Sequence, residues 1–328
     1  MSVEPVCGVS YFGKLPARGD FIRGGNQMQL IALLDRWTSA CMEAFAENPR
    51  WKLLFDNAPA LDFAFVGAQS RLSVVGHLKP SRDAAGRRFP FIAAAAVERD
   101  DPLPFRCGPV GFTALWGILR RVVGQACNAA TPTDALGELS FLDCAASIEH
   151  ALKRRPLDTY VRNTTLGQLA ANLGAPASPQ SVRRQILAIG LLMRPLLGRS
   201  TLKIEKGLCL PLPANACERN RVAALWLFLV TVLLSETACE LQLLLGRING
   251  QERMLIGFTG ASPRPLLSLL SPPSLEEHMI VLDDPEWIDR HPDLSADRGV
   301  ARLSSYLAQP AITLESALIT FKEVFTGS

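Results

Sequence analysis

Two short stretches carry most of the side chains whose type and spacing suit chemistry. The first, YFGKLPARGDFIR over residues 11–23, holds Lys14, Arg18, Asp20 and Arg23 among aromatic residues. Residues 8–14 fit G-x-x-x-x-G-K, most of a phosphate-binding loop. That chemistry needs Ser or Thr after the lysine to hold magnesium, and a helix directly behind it whose amides cradle the phosphate. Leu15 and Pro16 follow instead, so nucleotide binding is not expected. Gly13 and Gly19 permit tight turns. Asp20 can pair with Arg18 or accept backbone amides, and Tyr11, Phe12 and Phe21 would anchor the loop. The stretch suits either a structural clasp or a binding surface.

The second stretch, LKPSRDAAGRRFPF over residues 78–91, gathers Lys79, Arg82, Arg87 and Arg88. Four cations close together can meet an acidic partner or a phosphate. The plainer reading is a solvated loop whose arginines pair with Asp83, Glu98 or Asp100, and surface pairs of that kind do little. If both stretches lie on one face, Lys14, Arg18, Arg23, Arg82, Arg87 and Arg88 form a basic patch. In a rival arrangement Asp20 and Arg87 are buried and hold the loops together.

Elsewhere the chain offers few chemical constellations. The histidines are His77, His150, His278 and His291, and none lies in an HExxH or HxH pattern; there is no GxSxG elbow. The eight cysteines are scattered with no CxxC pair. Most sit among apolar neighbours, where Cys acts as a small hydrophobe, so structural thiols are expected and no metal. The acid pairs Asp100-Asp101, Glu276-Glu277 and Asp283-Asp284 read as solvated turns, with Asp283-Asp284-Pro285 capping a helix over 286–290.

The elements that would position these residues follow from patterning. The chain has 328 residues, is 48% hydrophobic and 20% charged, and carries a net charge of +3. That excludes global disorder and gives no case for a dedicated nucleic-acid binder. The N-terminal residues lack the basic flank and apolar core of an export signal. The most apolar run, residues 222–234, falls short of the ~20 residues of a spanning helix and reads as a buried helix. A cytoplasmic location is therefore expected.

In the first half, a strand over 9–15 precedes a helix over 28–47, where Leu30, Leu34, Trp37, Cys41 and Phe45 recur at helical spacing. A helical turn over 51–55 comes next. Strands are expected over 61–66 and 71–78 as a hairpin and over 89–97, where four alanines also allow a helix. Helices over 112–127 and 140–154 follow. The order β-α-β-β-β-α-α implies an α+β class with an antiparallel sheet, longin- or profilin-like by analogy only. Residues 156–180 read as a linker with a short helix over 166–173.

The second half reads as a helix over 182–197, a strand over 202–210, a long helix over 217–235 and a hairpin of 240–248 with 253–258. Its Asn249-Gly250 turn is a strong hairpin signal. A strand over 279–282 and helices over 298–308 and 314–325 complete it. The expectation is two antiparallel-sheet/helix subdomains, 1–155 and 181–328, the second echoing the first in topology.

The two basic stretches also carry a resemblance. YFGKLPARGDFIR resembles the opening signature of the TagF (ImpM) family, accessory proteins of bacterial type VI secretion systems. PSRDAAGRRFPF, residues 80–91, is similar to the family's second block, in which Pro-Ser-x-Asp leads into Gly-Arg and an aromatic-Pro pair. Trp37 and residues 51–55 fall where the family has a Trp-containing helix and an aromatic segment. The family often has Val-Gly-Arg after its Asp, where this chain has Ala85-Gly86-Arg87. The likeness spans residues 9–97.

It implies a TagF-like N-terminal domain, no cofactor, and a non-enzymatic cytoplasmic protein. Such proteins act as post-translational repressors that bind the system's forkhead-associated scaffold protein and oppose kinase-dependent activation. Some relatives are fused to a metal-dependent phosphatase, whose Asp-Gly blocks this chain lacks. The residues expected to meet the partner are Lys14, Arg18, Asp20, Arg23, Arg82, Arg87 and Arg88. The alternatives are a structural component of the secretion apparatus, or a nucleotide- or thiol-dependent hydrolase.

Overall fold

A computed structural model describes residues 8–99, 102–139, 142–198, 204–234 and 237–327. In chain order the first half contains β1 (Ser10–Gly13), β2 (Ile22–Gly24), α1 (Met28–Ala46), α2 (Trp51–Asn57), β3 (Leu61–Gly67), β4 (Leu72–Lys79) and β5 (Phe91–Glu98). A helical series follows: α3 (Leu103–Gly111), α4 (Thr113–Asn128), α5 (Thr133–Glu138), α6 (Cys144–Lys153), α7 (Pro156–Asn163), α8 (Leu166–Leu173) and α9 (Pro179–Met193). Then come β6 (Gly207–Pro211), α10 (Ala216–Thr231), β7 (Glu240–Ile248), β8 (Gln251–Gly257), α11 (Pro263–Leu270), α12 (Leu275–His278) and β9 (Met279–Val281). The chain closes with α13 (Asp293–Ala296), α14 (Arg298–Leu307) and α15 (Leu314–Thr326).

The α+β class and the order read from the sequence hold. The strands of the two halves, however, lie in one nine-stranded sheet, β2-β1-β5-β4-β3-β7-β8-β6-β9. All its pairings are antiparallel except β6 with β9. The halves meet where β3 pairs with β7, Asp62 opposite Leu245 through Gly67 opposite Glu240. The expected echo exists in strand order: in each half the strand after the long helix lies at the centre. The helices break it, because α1 and α10 pack on opposite faces of the sheet.

Both faces of the sheet are covered, so its central strands are apolar on both sides, as buried strands must be. Leu61, Phe63 and Phe65 of β3 face the layer of α1 and α11, while Ala64 and Val66 face the larger layer containing α4, α9, α10 and α15. Burial on two sides also explains the alanine run of β5, where Ala93, Ala94 and Ala95 are fully buried and small side chains let thick helical layers approach. In α1, Leu30, Leu34, Trp37, Cys41 and Phe45 are buried at helical spacing. The apolar run over 222–234 forms most of α10, buried on nearly all sides. Among the described residues no helix is long and apolar enough to cross a membrane.

Several local readings hold closely and others do not. The short helix over 166–173 is α8, closed by a capping box between Thr165 and Gln168. The Asn249-Gly250 turn has positive φ at both residues, 51° and 80°, the conformation a two-residue hairpin demands. Residues 156–163, read as linker, form α7, whose Leu157, Tyr160 and Val161 are buried. β2 and α3 carry little periodicity and were not expected; tertiary pairing with β1 creates the former. Residues 286–290 form a 3-10 turn in which the Asp284 carbonyl accepts the Glu286 amide. Asp283 and Asp284 do not cap it, because their carboxylates are held by Arg253 and Arg184. Cys7, Asp100-Asp101, the start of the helix expected from residue 140, residues 202–203 and Ser235 lie outside the described residues.

Candidate functional site

The two basic stretches meet, and a carboxylate that neither was expected to centre on joins them. Asp83 is only 2% exposed. Its Oδ2 lies 3.0 Å from Lys14 Nζ and 2.7 Å from Arg87 Nε. Its Oδ1 accepts the backbone N–H groups of Ala85 at 3.1 Å and Arg87 at 2.9 Å. Arg87 then reaches across to donate to the Gly19 carbonyl at 2.7 Å, and the Ala84 amide donates to the Arg18 carbonyl at 2.8 Å. Burial pushes the Asp83 carboxyl up, but the Arg87 amide, Lys14 and the Arg87 guanidinium together bring it down to about 2.

Local backbone geometry makes this possible. β1 pairs with β5, and Gly13 lies opposite Phe91. Gly13 has φ of +133°, and a Cβ there would lie 2.1 Å from the Pro90 carbonyl oxygen. A glycine is therefore required to bring the first loop against the second. Residues 8–14 run into strand β1 with no helix behind, and Lys14 is spent on Asp83, so the partial phosphate-loop pattern has no phosphate-binding geometry.

The rival reading named the wrong acid. Asp20 is exposed and accepts the amide of its neighbour Phe21. The Arg87 side chain is 57% exposed. Arg88 turns away from the cluster to form a bidentate pair with Asp56 of α2, at 2.7 and 2.5 Å, which holds the Asp56 carboxyl below its usual range. Arg18, Arg23 and Arg82 are exposed and make no ion pair among the described residues. The structure thus gathers Lys14, Arg18, Arg82 and Arg87 around Asp83, places Arg88 beside them on Asp56, and sets Arg23 apart on β2.

Aromatic rings floor the same surface. Phe21 stacks on Phe12 at 5.4 Å and meets Phe89 edge-on at 4.8 Å, with Lys14 Nζ 4.8 Å from its ring centre. Phe21 nonetheless remains 45% exposed. An exposed aromatic ring held rigidly among cations has the make-up of an interface anchor.

A second ionic cluster was missed from sequence. Asp62, also 2% exposed, lies opposite His77 in the β3–β4 register, with Oδ1 2.8 Å from His77 Nδ1. Its Oδ2 meets Arg120 of α4 at 2.5 Å and Arg219 of α10 at 3.2 Å. Arg219 continues to Glu252 at 3.4 Å, and Glu252 to Arg247 at 2.7 Å. Burial pushes the Asp62 carboxyl up, but His77 and Arg120 together outweigh it and leave it lowered. The β3–β4 hairpin placing Asp62 beside His77 was legible; the two arginines were not.

Five of the seven described cysteines are buried, and burial pushes the thiols of Cys41, Cys127, Cys209 and Cys239 up, as the structural-thiol reading requires. Among the described residues no three His, Cys, Asp or Glu side chains converge to hold a metal.

Comparison with known proteins bears on the same region. None of the curated proteins compared matches the chain. A crystal structure of PA0076 from Pseudomonas aeruginosa PAO1 matches with 22% identity and a TM-score of 0.30, over 44% of this chain and 61% of that one. The match spans less than two thirds of that protein and is too slight to extend fold or activity. Residues 10–140 match the family model described as TagF N-terminal domain, Type VI secretion system-associated. Both basic stretches, the Asp83 clasp and all of β1 to β5 fall inside that span, so the likeness to the type VI secretion system-associated TagF N-terminal domain covers the whole candidate site.

Proposed function

We propose that the protein is a non-enzymatic, cytoplasmic repressor of type VI secretion that acts by docking on the forkhead-associated scaffold protein. The observation that carries this reading is the clasped basic surface. Asp83 fixes two loops far apart in sequence as one rigid unit, and around it stand exposed Arg18 and Arg82 with the exposed Phe21 ring. A rigid surface loses little conformational entropy on docking. Cations at its rim steer an acidic partner, while the ring provides apolar area to bury. The commitment of Lys14 to Asp83 and the raised thiols favour a binding role over the hydrolase alternatives.

The test separates the surface from the clasp. Arg87 and Arg88 hold Asp83 and Asp56, so charge reversal there would disturb folding as well as docking. Arg18→Glu with Arg82→Glu removes no partner from either pair. The double variant should melt like the wild type yet capture the scaffold at least tenfold more weakly and fail to repress secretion. Wild-type affinity in the folded double variant rejects the proposed surface.

A further inference from the structure

A recess of about 360 Å3 opens beside the clasp, between the start of the second basic stretch, α2 and the end of α4. Its lining includes Asp56, Lys79, Ser81, Arg82, Cys127 and Asn128. Ser81 is only 9% exposed, and its Oγ faces the Cys127 sulfur, a weak acceptor, with no oxygen or nitrogen partner among the described residues. A buried hydroxyl with only a weak partner is under-satisfied, and in a recess it can still donate to an acceptor that enters. Lys79 and Arg82 make no ion pair among the described residues. Both line the recess. Lys79 acts on the Cys127 thiol from one wall, and Arg82 acts on Asp56 from the other.

The charge balance decides the class of ligand. Asp56 is neutralised by its bidentate pair with Arg88, which leaves two cations without an ion pair beside a hydroxyl held only by a thiol. The C-terminal end of α4 at Asn128 disfavours an anion, but a helix end carries about half a charge and falls off within a turn. Two full charges outweigh it. The Cys127 thiol is 8% exposed and raised by burial, so it serves as wall and not as nucleophile.

We propose that this recess receives an oxyanion carried on a side chain of the docking protein, with Ser81 donating its hydroxyl and Lys79 and Arg82 supplying the charge. The inference rests on the docking reading, since Arg82 belongs to both the recess and the proposed surface. Charge complementarity selects an acidic group, and the volume admits a side chain together with its oxyanion.

The recess can be tested apart from the scaffold by titrating the full chain with inorganic phosphate at constant ionic strength, with chloride as the counter-titrant. In 1H–15N spectra the amides of Ser81, Arg82 and Asn128 should shift saturably. The Lys79→Met/Ser81→Ala double variant should weaken this at least fivefold, and Lys79→Arg should retain it. The same double variant should capture the scaffold about tenfold more weakly with an unchanged melt. Absence of a saturable shift, or shifts that persist in the double variant, overturns the recess whatever the scaffold does. If phosphate behaves as expected but capture by the double variant equals wild type, the partner side chain is overturned as the source and the docking surface is untouched. If the wild type captures no scaffold, the docking reading and the partner source fall together, and the phosphate titration alone decides the anion site.

Discussion

Asp83 and Asp62 are equally buried carboxylates, each holding more than one cation, yet they join very different parts of the molecule. Asp83 ties Arg87, four residues on in the same loop before β5, to Lys14 in the distant segment before α1. Asp62 ties His77 across a hairpin and then Arg120 and Arg219, the last 157 residues away. The first cluster orients two loops at the surface. The second pins α4 and α10 to the centre of the sheet, across the β3–β7 seam between the halves. A buried carboxylate can thus serve to shape a local surface or to lock the architecture, and whether its partners stand on loops or on packed helices and strands tells which.

The comparison breaks most sharply at Asp62. Asp62→Ala takes the buried hydrogen-bond acceptor from His77 and leaves Arg219 only Glu252, and should lower the unfolding free energy by about 3–5 kcal/mol, read from urea unfolding. A loss under about 1 kcal/mol would show that the central cluster does not lock the halves. Next comes Gly13→Ala, whose Cβ would collide with the Pro90 carbonyl at a positive φ. It should cost about 1–3 kcal/mol, with the damage confined to exchange of amides in β1, β2 and the two loops. Damage spread to β7 and β8 would deny that the clasp is local.

Acid offers a finer contrast. Asp83 is depressed in the folded state, so its contribution is present above the unfolded value of 3.8 and is lost as pH falls towards about 2. Exchange of the Ala84 and Arg87 amides should quicken through that window, before global unfolding. Simultaneous loss of the whole sheet at the same pH would merge the two clusters into one. The smallest effect is expected from Phe21→Ser, since the ring is 45% exposed. Its change in stability should stay within about 0.5 kcal/mol while scaffold capture weakens, and equal capture would remove Phe21 from the surface.

The same contrast explains what the sequence disclosed. The clasp was legible because its parts lie in two compact stretches, and Asp83 already stood among the named partners of the arginines. Only the choice between Asp20 and Asp83 needed the fold, because it depends on which acid the β1–β5 pairing turns inward. The helices α1 and α8 and the β7–β8 hairpin were legible from local period, capping and turn chemistry. The single sheet was not, because β3–β7 pairing depends on apolar strands that match any other apolar strand equally well. Arg120 and Arg219 were invisible for a related reason: a helix surface arginine looks solvated until a sheet residue beneath it is known.

The sheet has a consequence for how any partner can bind. Its two outermost strands, β2 and β9, are three residues each, too short to template an added strand from another chain. The long strands with many main-chain donors and acceptors, β3, β4, β7 and β8, are all interior. Among the described residues β-augmentation at the two ends of the sheet is therefore disfavoured, and a partner is expected to be recognised by side chains on loops. It would reopen at one place. A chain cut near residue 155 would leave β3 without β7, exposing six residues of mostly apolar backbone edge, and such a fragment would be expected to pair with itself.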